Sequence, residues 1–322
     1  MYEYALSFKL HGDGNPLLIE YKDSISHFCY VVMMSDIANE KHFRGILARG
    51  HLFDFETPYG YGGPLTSNPI SVESQFCFLD EITAFAKTNN VISQFIRFHP
   101  LLMNHEVATC VFETKYLHDT IYIDTESPEI IMANMDSKNR NMVRKAINYG
   151  ITIRQMSVEE YRDFIPIYEE TMVKNKATDY YFFDEEYFKA QLALKENSCI
   201  FYAMMDNKPI SAAIMYYNDR FLHYHLAGTH SDYRKYAPNN LLLYEAACWA
   251  CGRGIKKFHL GGGLSEDDSL FGFKKQFNKN GRLPFVIGRT IFDKDKYQEL
   301  MRIRKATDPE FDNNNTRMIQ YR

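Results

Sequence analysis

The spacing of hydrophobic residues along the first 136 positions predicts short strands and one longer helix. Phe76, Leu79, Ile82 and Phe85 recur three residues apart, so a helix is predicted over residues 74–89. Apolar and aromatic runs bounded by polar residues are typical of strands. Strands are predicted at 4–10, 17–21, 27–33, 45–53, 91–98, 106–114 and 120–123. This part of the chain is therefore predicted to be a mixed α/β half.

From residue 137 onward the pattern predicts longer elements. Helices are predicted at 137–149, 184–194, 238–250, 271–277 and 296–305. A further helix is predicted to begin at Ser157, which forms a capping box with Glu160. Strands are predicted at 151–155, 198–205, 210–217, 220–226, 255–260 and 285–292. Three antiparallel strands, one crossover helix and a parallel strand indicate an α+β fold, which differs from the repeated βαβ units of a nucleotide-binding sheet. Residues 312–322 are predicted to be frayed.

The run DFETPYGYGGP at 54–64 is too rich in glycine and proline for a helix or a strand. It is predicted to be a loop, in which Tyr59 and Tyr61 flank Gly60. Because glycines let a backbone approach a ligand closely, we predict that the two tyrosines form one wall of an acceptor site. The alternative is a surface turn capped by tyrosines.

Composition and charge exclude several classes of protein. The formal net charge of -4 leaves no overall basic footprint for nucleic acid. No apolar run approaches the roughly 18 residues of a membrane-spanning helix, and the first residues lack the features of a signal peptide. The chain is therefore predicted to be cytoplasmic, with peripheral attachment to the inner face of the membrane left open. The six scattered cysteines predict reduced side chains, and no metal site is predicted.

Three stretches resemble the Fem peptidoglycan aminoacyltransferases, and the order of elements resembles the GNAT acyltransferase fold. The longest, YHLAGTHSDYRKYAPNNLLLYEAACWACGRGIKKFHLGGG at 224–263, has the strand, the Pro-Asn loop, the helix and the glycine-ended strand of that family. SKNRNMVRKAINYGI at 137–151 resembles its basic helix, and LFGFKKQF at 270–277 its late Phe-Lys element. The loop PYGYGGP resembles loops of Fem-like proteins from polysaccharide clusters.

The resemblance implies a fold of two GNAT-like acyltransferase halves around a central cleft, without the long helical arm of some members. The halves are predicted at 1–136, which contains the PYGYGGP loop, and at 137–322, with packing of the terminal helix onto the first half left open. The family transfers an amino acid from aminoacyl-tRNA to an amine of a cell-wall precursor, and relatives use other acyl donors. No tightly bound cofactor is implied.

Acyl transfer to an amine needs a reactive donor, a deprotonated amine and positive charge or N–H groups that face the developing oxyanion. We find no G-x-S-x-G elbow and no convincing Cys-His pair, so direct attack is predicted. The resemblance implies that Lys274 and Tyr224 are the catalytic residues. The alternative for Lys274 is a solvated charge on a short helix. His223 and His225 alternate with Tyr224 on a strand, so Tyr224 should point to the opposite face. A histidine here could act as a general base, although a structural role is more common.

Three further residues are predicted to bind substrate. Lys174 loosely matches a family arginine that binds acceptor phosphates, with a solvated helix end as the alternative. Arg234 and Asn239 belong to the loop RKYAPNN at 234–240, where acyl-CoA enzymes carry a glycine-rich turn. Because this loop has no glycine and Pro238 lacks an N–H, coenzyme A binding in the usual manner is disfavoured.

The sequence leaves three functions open. The first is a Fem-like transferase that aminoacylates or acylates an amine of a nucleotide-linked or lipid-linked peptidoglycan or polysaccharide precursor, with aminoacyl-tRNA or acyl-CoA as donor. The second is an acyl-CoA-dependent N-acyltransferase that acts on an amino sugar. The third is a catalytically inactive protein that binds such a precursor.

Overall fold

Two segments that are far apart in sequence form one folded unit. In the computed structural model, which describes residues 2–263, 265 and 268–322, unit 1 consists of Met1–Leu117 and Phe285–Arg322. Unit 2 is the continuous segment His118–Pro284. The chain passes between the units within two strands, Glu113–Asp124 and Arg282–Ile291. These limits differ from the predicted division at 136/137, which stays a prediction about the two GNAT-like halves.

Unit 1 contains strands and helices from both ends of the chain. Its elements are α1 (Tyr2–His11), β1 (Asn15–Lys22), β2 (His27–Asp36), β3 (Phe53–Glu56), β4 (Leu65–Thr66), α2 (Val72–Thr88), β5 (Val91–Arg97) and α9 (Lys294–Thr307), with parts of β6 (Glu113–Asp124) and β12 (Arg282–Ile291). Its strands follow the order β1-β2-β3-β5-β12, and β4 pairs with β2. Only β3 and β5 among these pairs are parallel.

The sheet of unit 1 has apolar side chains on both faces. On one face Phe78 and Ile82 of α2 pack with Phe28, Phe55 and other strand residues. On the other face α9 packs with Ile92 and with residues from 311 onward. Because both faces of β5 are buried, its polar Ser93 and Gln94 are buried as well, and each is hydrogen-bonded within the unit, to Asp54 and to Tyr30 respectively.

Unit 2 contains most of the elements predicted for the second half of the sequence, whereas the strand predicted at 285–292 and the helix predicted at 296–305 lie in unit 1. The elements of unit 2 are the remainder of β6, α3 (Pro128–Asn134), α4 (Ser137–Asn148), β7 (Thr152–Ser157), α5 (Phe164–Lys174), α6 (Glu185–Ala190), β8 (Ser198–Met205), β9 (Lys208–Tyr217), β10 (Phe221–Thr229), α7 (Pro238–Gly252), β11 (Lys257–Gly261) and α8 (Ser269–Lys275). The strands follow the order β6-β11-β10-β9-β8-β7. β10 and β11 are parallel, and the other pairs are antiparallel.

Helices cover the sheet of unit 2 on both faces. α4 and α7 pack on one face, where Val143 and Leu242 join the apolar core. α5 lies on the other face, and its Thr171 hydroxyl accepts the backbone N–H of Thr229 at 2.9 Å. The core on the first face is therefore built by one crossover helix, α7, together with the basic helix α4 that precedes β7.

Four predicted elements are wrong. Of the strand predicted at 45–53 only Phe53 lies in a strand, β3, because Gly45 and Gly50, with φ values of +79° and +75°, place the preceding residues in turns. Residues 4–10 form helix α1 rather than a strand, because Ala5 and Phe8, three residues apart, are buried on one side. Residues 106–114 are mostly turns, since their apolar side chains fill a gap beside the sheet without a ladder of their own. The last residues are not frayed, because Met318, Ile319 and Tyr321 are buried in unit 1.

The longest helix of the described residues is α2, with 17 residues. The described part of the chain thus contains no long helical arm, as the sequence predicts because it has no extended heptad segment. Within the same residues, no helix combines the length and the apolar character needed to cross a bilayer.

Candidate active site

Parallel strands β10 and β11 separate soon after they begin. Within the described residues their ladder joins only 221–223 to 257–259, and its last pair is His223 with His259. β10 then continues to Thr229 and β11 to Gly261. Beyond the last pair, the backbone N–H and C=O groups of the two strands no longer bond to each other. The space where β10 and β11 separate is called the gap below, and it is a place where a ligand can be held.

Lys274 lies beside this gap in a buried position. Its Nζ donates a hydrogen bond of 2.7 Å to the carbonyl oxygen of Gly262, which follows β11. Only 7% of Lys274 is exposed. Burial lowers the pKa of Lys274 to about 8, while the nearby carboxylate of Asp268 acts in the opposite direction. The sequence left a solvated lysine as the alternative, and the structure contradicts that alternative.

Asp268 fixes the start of the helix that carries Lys274. Its carboxylate accepts the backbone N–H of Phe271 at 2.7 Å and caps α8. The role of Asp268 as a helix cap was not predicted, although an aspartate followed by a serine and the apolar run LFGF is typical of a helix start. The negative charge of the same carboxylate raises the pKa of Lys274 and so opposes the effect of burial.

Tyr224 lies next to Lys274. Its ring centroid lies 5.9 Å from Nζ of Lys274. Its hydroxyl accepts a hydrogen bond from Nδ2 of Asn239 at 3.3 Å. Burial raises the pKa of Tyr224 to about 12, so its phenol stays neutral and can donate a hydrogen bond near neutral pH.

Asn239 adds a polar atom with no hydrogen-bond partner among the described residues. It is the second residue of α7, after Pro238, and its Oδ1 is buried. Buried polar atoms are almost always paired in folded proteins. Lys274, Tyr224 and Asn239 therefore form a polar group in which an ammonium, a neutral phenol and an unused amide oxygen lie close together.

The other two predicted residues of unit 2 lie at the surface. Lys174 is the exposed last residue of α5. Arg234 is exposed in the short 3-10 turn Ser231–Tyr236 that leads into α7. Within the described residues the structure gives neither side chain a contact with Lys274, Tyr224 or Asn239. Their roles in substrate binding stay predictions.

Tyr59 and Tyr61 lie in unit 1, in the predicted loop. The Tyr59 ring centroid is 5.9 Å from that of Phe8, and its carbonyl oxygen accepts the Tyr4 hydroxyl at 2.5 Å. The Tyr61 ring meets Phe285 edge-on with centroids 5.1 Å apart. Both tyrosines are half-buried, and their role at an acceptor site stays a prediction.

The glycines and Asn104 account for the shape of this loop. Gly63 has φ +87°, and a Cβ there would lie 2.9 Å from the Phe98 ring. The buried side chain of Asn104 donates to the carbonyl oxygens of Gly62 and Pro64, at 2.8 and 3.1 Å, and accepts the His99 backbone N–H at 2.8 Å. Close packing within unit 1 is therefore sufficient to explain the composition that the sequence presents.

Replacing Asn104 with alanine is expected to destabilise unit 1 by about 2–3 kcal/mol, because three backbone groups that are buried or partly buried lose their partner. Thermal unfolding followed by circular dichroism measures this change. Asn68→Ala, at an exposed position of the same loop region, should leave the melting temperature unchanged. Equal melting temperatures for Asn104→Ala and the unchanged protein would show that these bonds do not hold the loop.

Comparison with known proteins agrees with this architecture. Residues 137–275 match the family described as acetyltransferase (GNAT) domain. The structure is similar to that of FemX, with a TM-score of 0.68, 14% identity and coverage of 93% of both chains. It is also similar to L-PGS from Bacillus licheniformis, with a TM-score of 0.53, 10% identity and coverage of 95% of this chain and 94% of that one.

A third similar structure is a tandem GNAT protein from the clavulanic acid biosynthesis pathway. Its TM-score is 0.51 at 7% identity, and the match covers 90% of this chain and 87% of that one. These similarities confirm the predicted fold of two GNAT-like halves and the predicted resemblance to Fem-like proteins.

Proposed function

We propose that this chain, an acyltransferase of the GNAT type with the fold of FemX, transfers an aminoacyl or acyl group to an amine of a cell-envelope precursor. The observation that carries the proposal is the buried Lys274 ammonium beside Tyr224 at the point where β10 and β11 separate. An ammonium in such a place can stabilise an oxyanion far better than one in water.

The reaction proceeds by direct attack. The amine nitrogen attacks the donor carbonyl carbon, and the C=O π electrons move onto oxygen. Lys274 and the Tyr224 phenol stabilise this oxyanion through charge and a hydrogen bond. The carbonyl then re-forms as the C–O or C–S bond to the donor breaks. The proton lost by the amine ends on the leaving hydroxyl or thiol.

The start of α7 favours aminoacyl-tRNA over acyl-CoA as donor. Its cap, Ala237, has φ 58° and makes no side-chain cap hydrogen bond, and the first helical residue is Pro238. A pyrophosphate at this helix end would therefore find one N–H fewer than in a glycine-rich turn. The net charge of -4 favours the opposite choice, since tRNA binding needs several cations.

The acceptor in this proposal is a nucleotide-linked or lipid-linked sugar or peptide of peptidoglycan or of a polysaccharide. Tyr59 and Tyr61 would pack on its sugar or base, and Lys174 would bind its phosphates. Arg234 would meet the phosphates of the donor. Such substrates place the protein in the cytoplasm, at or near the inner face of the membrane.

The test is a transfer assay with purified protein. Radiolabelled alanyl-tRNA or acetyl-CoA is offered with a UDP-linked muramoyl pentapeptide or with UDP-glucosamine. Label that moves from alanyl-tRNA to the pentapeptide amine is the expected result. Transfer from acetyl-CoA to the amino sugar would instead establish the second function. Acceptor binding without any transfer would identify a catalytically inactive binding protein.

A thermal melt separates the two donors before any acceptor is known. Acetyl-CoA at about a hundred times its dissociation constant would add about 2.7 kcal/mol of apparent stability. We expect no shift with acetyl-CoA, because Pro238 weakens the pyrophosphate site. A clear upward shift would overturn the preference for aminoacyl-tRNA and make acyl-CoA the donor.

A further inference from the structure

Asn239 links the start of α7 to strand β10. Its Nδ2 donates a hydrogen bond to the hydroxyl oxygen of Tyr224 at 3.3 Å. The Tyr224 ring centroid lies in turn 5.9 Å from Nζ of Lys274. All three residues belong to unit 2. The side-chain amide of Asn239 is thus held beside the phenol and the ammonium of the candidate active site.

The amide of Asn239 has one end that is used and one that is not. Nδ2 is bound to Tyr224, whereas Oδ1 is buried and has no hydrogen-bond partner among the described residues. An amide oxygen can only accept, so a group that satisfies Oδ1 must bring an N–H or an O–H. A buried acceptor without such a group costs the folded protein free energy, and it is rare. Oδ1 is therefore a position that a ligand can complete.

The hydrogen bond from Asn239 also determines where the Tyr224 proton points. Because the phenol oxygen accepts from Nδ2, its own proton points elsewhere and is free for the oxyanion of the proposed reaction. Nδ2 and Oδ1 are bonded to the same carbon atom. A group bound at Oδ1 therefore lies beside the carbonyl whose oxygen Tyr224 stabilises.

The next residue along the chain has a different role. Nδ2 of Asn240 donates to Oδ1 of Asn139 at 2.6 Å, so Asn240 joins α7 to α4. Nδ2 of Asn139 is also buried without a partner among the described residues. In the same part of the chain, however, no contact links Asn139 to Tyr224 or Lys274. Of the two asparagines at the start of α7, Asn239 is the one placed to meet a substrate at the candidate site.

Positive charge near Asn239 restricts the group that Oδ1 can bind. The Lys274 ammonium and the N-terminal end of α7 both contribute such charge. A second ammonium here would be repelled, so a neutral amine fits better. The α-amino group of an aminoacyl ester meets this condition, because the ester carbonyl lowers its pKa below the value of about 8 of an ordinary chain terminus.

On the basis of the proposed function, we infer that Oδ1 of Asn239 accepts an N–H of the α-amino group of an aminoacyl donor. This amino group is attached to the carbon next to the reacting carbonyl, so it lies beside the oxyanion. Asn239 also belongs to the start of α7, where the donor is proposed to bind. A simple acyl group has no N–H at this position and leaves Oδ1 unpaired, which a site of this kind disfavours. Asn239 thus selects aminoacyl donors over acyl donors.

Binding of unreactive donors tests the inference without any acceptor. Two RNA hairpins end in the acceptor sequence of tRNA and carry either an alanyl or a propionyl group through an amide at the terminal 3′ position. They differ only in the α-amino group. The unchanged protein should bind the alanyl hairpin about 10–100-fold more tightly, and Asn239→Leu should bind both equally. Equal affinities in the unchanged protein would overturn the inference.

Asn239→Asp distinguishes the two ends of the amide. Aspartate keeps an oxygen that accepts from the amine, but its carboxylate cannot donate to Tyr224. This variant should therefore keep the preference for the alanyl hairpin. Loss of the preference in Asn239→Asp would mean that Nδ2 faces the donor, which contradicts the inference. Asn148→Leu, at the exposed end of α4, is the matched control and should keep the preference unchanged.

A thermal melt of the free protein separates donor recognition from a role in folding. Asn239→Leu should melt at the same temperature as the unchanged protein or higher, because it removes a buried acceptor that has no partner. A marked fall in the melting temperature of Asn239→Leu, together with an unchanged alanyl preference, would show that Asn239 serves the fold alone.

The outcomes keep the two ideas apart. Transfer from alanyl-tRNA, with the same ratio of kcat/KM for alanyl-tRNA and propionyl-tRNA in Asn239→Leu as in the unchanged protein, overturns the role of Asn239 and leaves the proposed function standing. No transfer from any donor, with an alanyl preference that Asn239→Leu abolishes, overturns the proposed function and leaves donor recognition standing. If the unchanged protein binds neither hairpin, the role of Asn239 is overturned, and transfer from acetyl-CoA would still support acyl transfer.

Discussion

Replacing Lys274 with methionine is expected to lower kcat about 10²–10³-fold, which is the usual cost of removing one group that stabilises an oxyanion. The fold should persist. Burial lowers the pKa of Lys274 to about 8 from the usual value near 10.5, so the charged form is disfavoured by its surroundings. Methionine has a similar length and needs no solvation. kcat in the transfer assay and the circular dichroism melt of the same preparation measure the two quantities.

The pH profile gives a second readout for Lys274. Because the group acts as a cation, kcat of the unchanged protein should fall as pH rises through about 8, and Lys274→Met should lack this basic limb. Below pH 8 the folded protein keeps Lys274 protonated at an energetic cost, which is relieved as pH rises from about 8 toward the unfolded value. Lys275→Met, at the exposed neighbour, is the control. Full activity of Lys274→Met would remove Lys274 from the mechanism.

Replacing Gly228 with alanine is expected to destabilise unit 2 by about 3 kcal/mol, at the upper end of the usual cost of overpacking. A Cβ on Gly228 would lie 2.4 Å from the carbonyl oxygen of Ile167 and 2.8 Å from Cα of Tyr168. These are backbone atoms of α5, so neither a rotamer change nor a small side-chain shift relieves the clash. Thermal and urea unfolding of the purified variant measure the loss.

Gly252→Ala is the matched control for this substitution. Gly252 is the last residue of α7, and a Cβ there meets nothing within 4 Å. The melting temperature of Gly252→Ala should equal that of the unchanged protein or be slightly higher, because alanine favours the helix more than glycine does. If Gly228→Ala had the same melting temperature as Gly252→Ala, α5 would have to lie farther from β10 than the structure places it.

The second half of the fold could be predicted because its strands and its crossover helix carry clear local patterns. Residues 210–217 are bounded by a turn on one side, and Pro238 and Gly252 mark the limits of α7. Helix α1 was missed because its sequence, YEYALSFKLH, also fits an alternating pattern. Tyr321 was missed because burial of the final segment depends on partners such as Asp54, distant in sequence.

The candidate site also has residues that local sequence predicts and contacts that it does not. Lys274 and Tyr224 could be proposed from short motifs, since each motif resembles one in a known family. Their closeness to each other, and the contact of Lys274 with Gly262, depend on tertiary structure. The pairing of His223 with His259 depends on the register of two parallel strands separated by a whole helix. Local sequence contains no signal for that register.

The division of the chain between the units has a consequence for biosynthesis. Unit 1 needs strand β12 and helix α9, which are translated after nearly all of unit 2. The early segments of unit 1 must therefore wait with apolar strands unburied, whereas unit 2 is one continuous stretch that can fold as it emerges. Chaperone dependence and aggregation during synthesis should accordingly respond more to mutations in the first 117 residues than to those in unit 2.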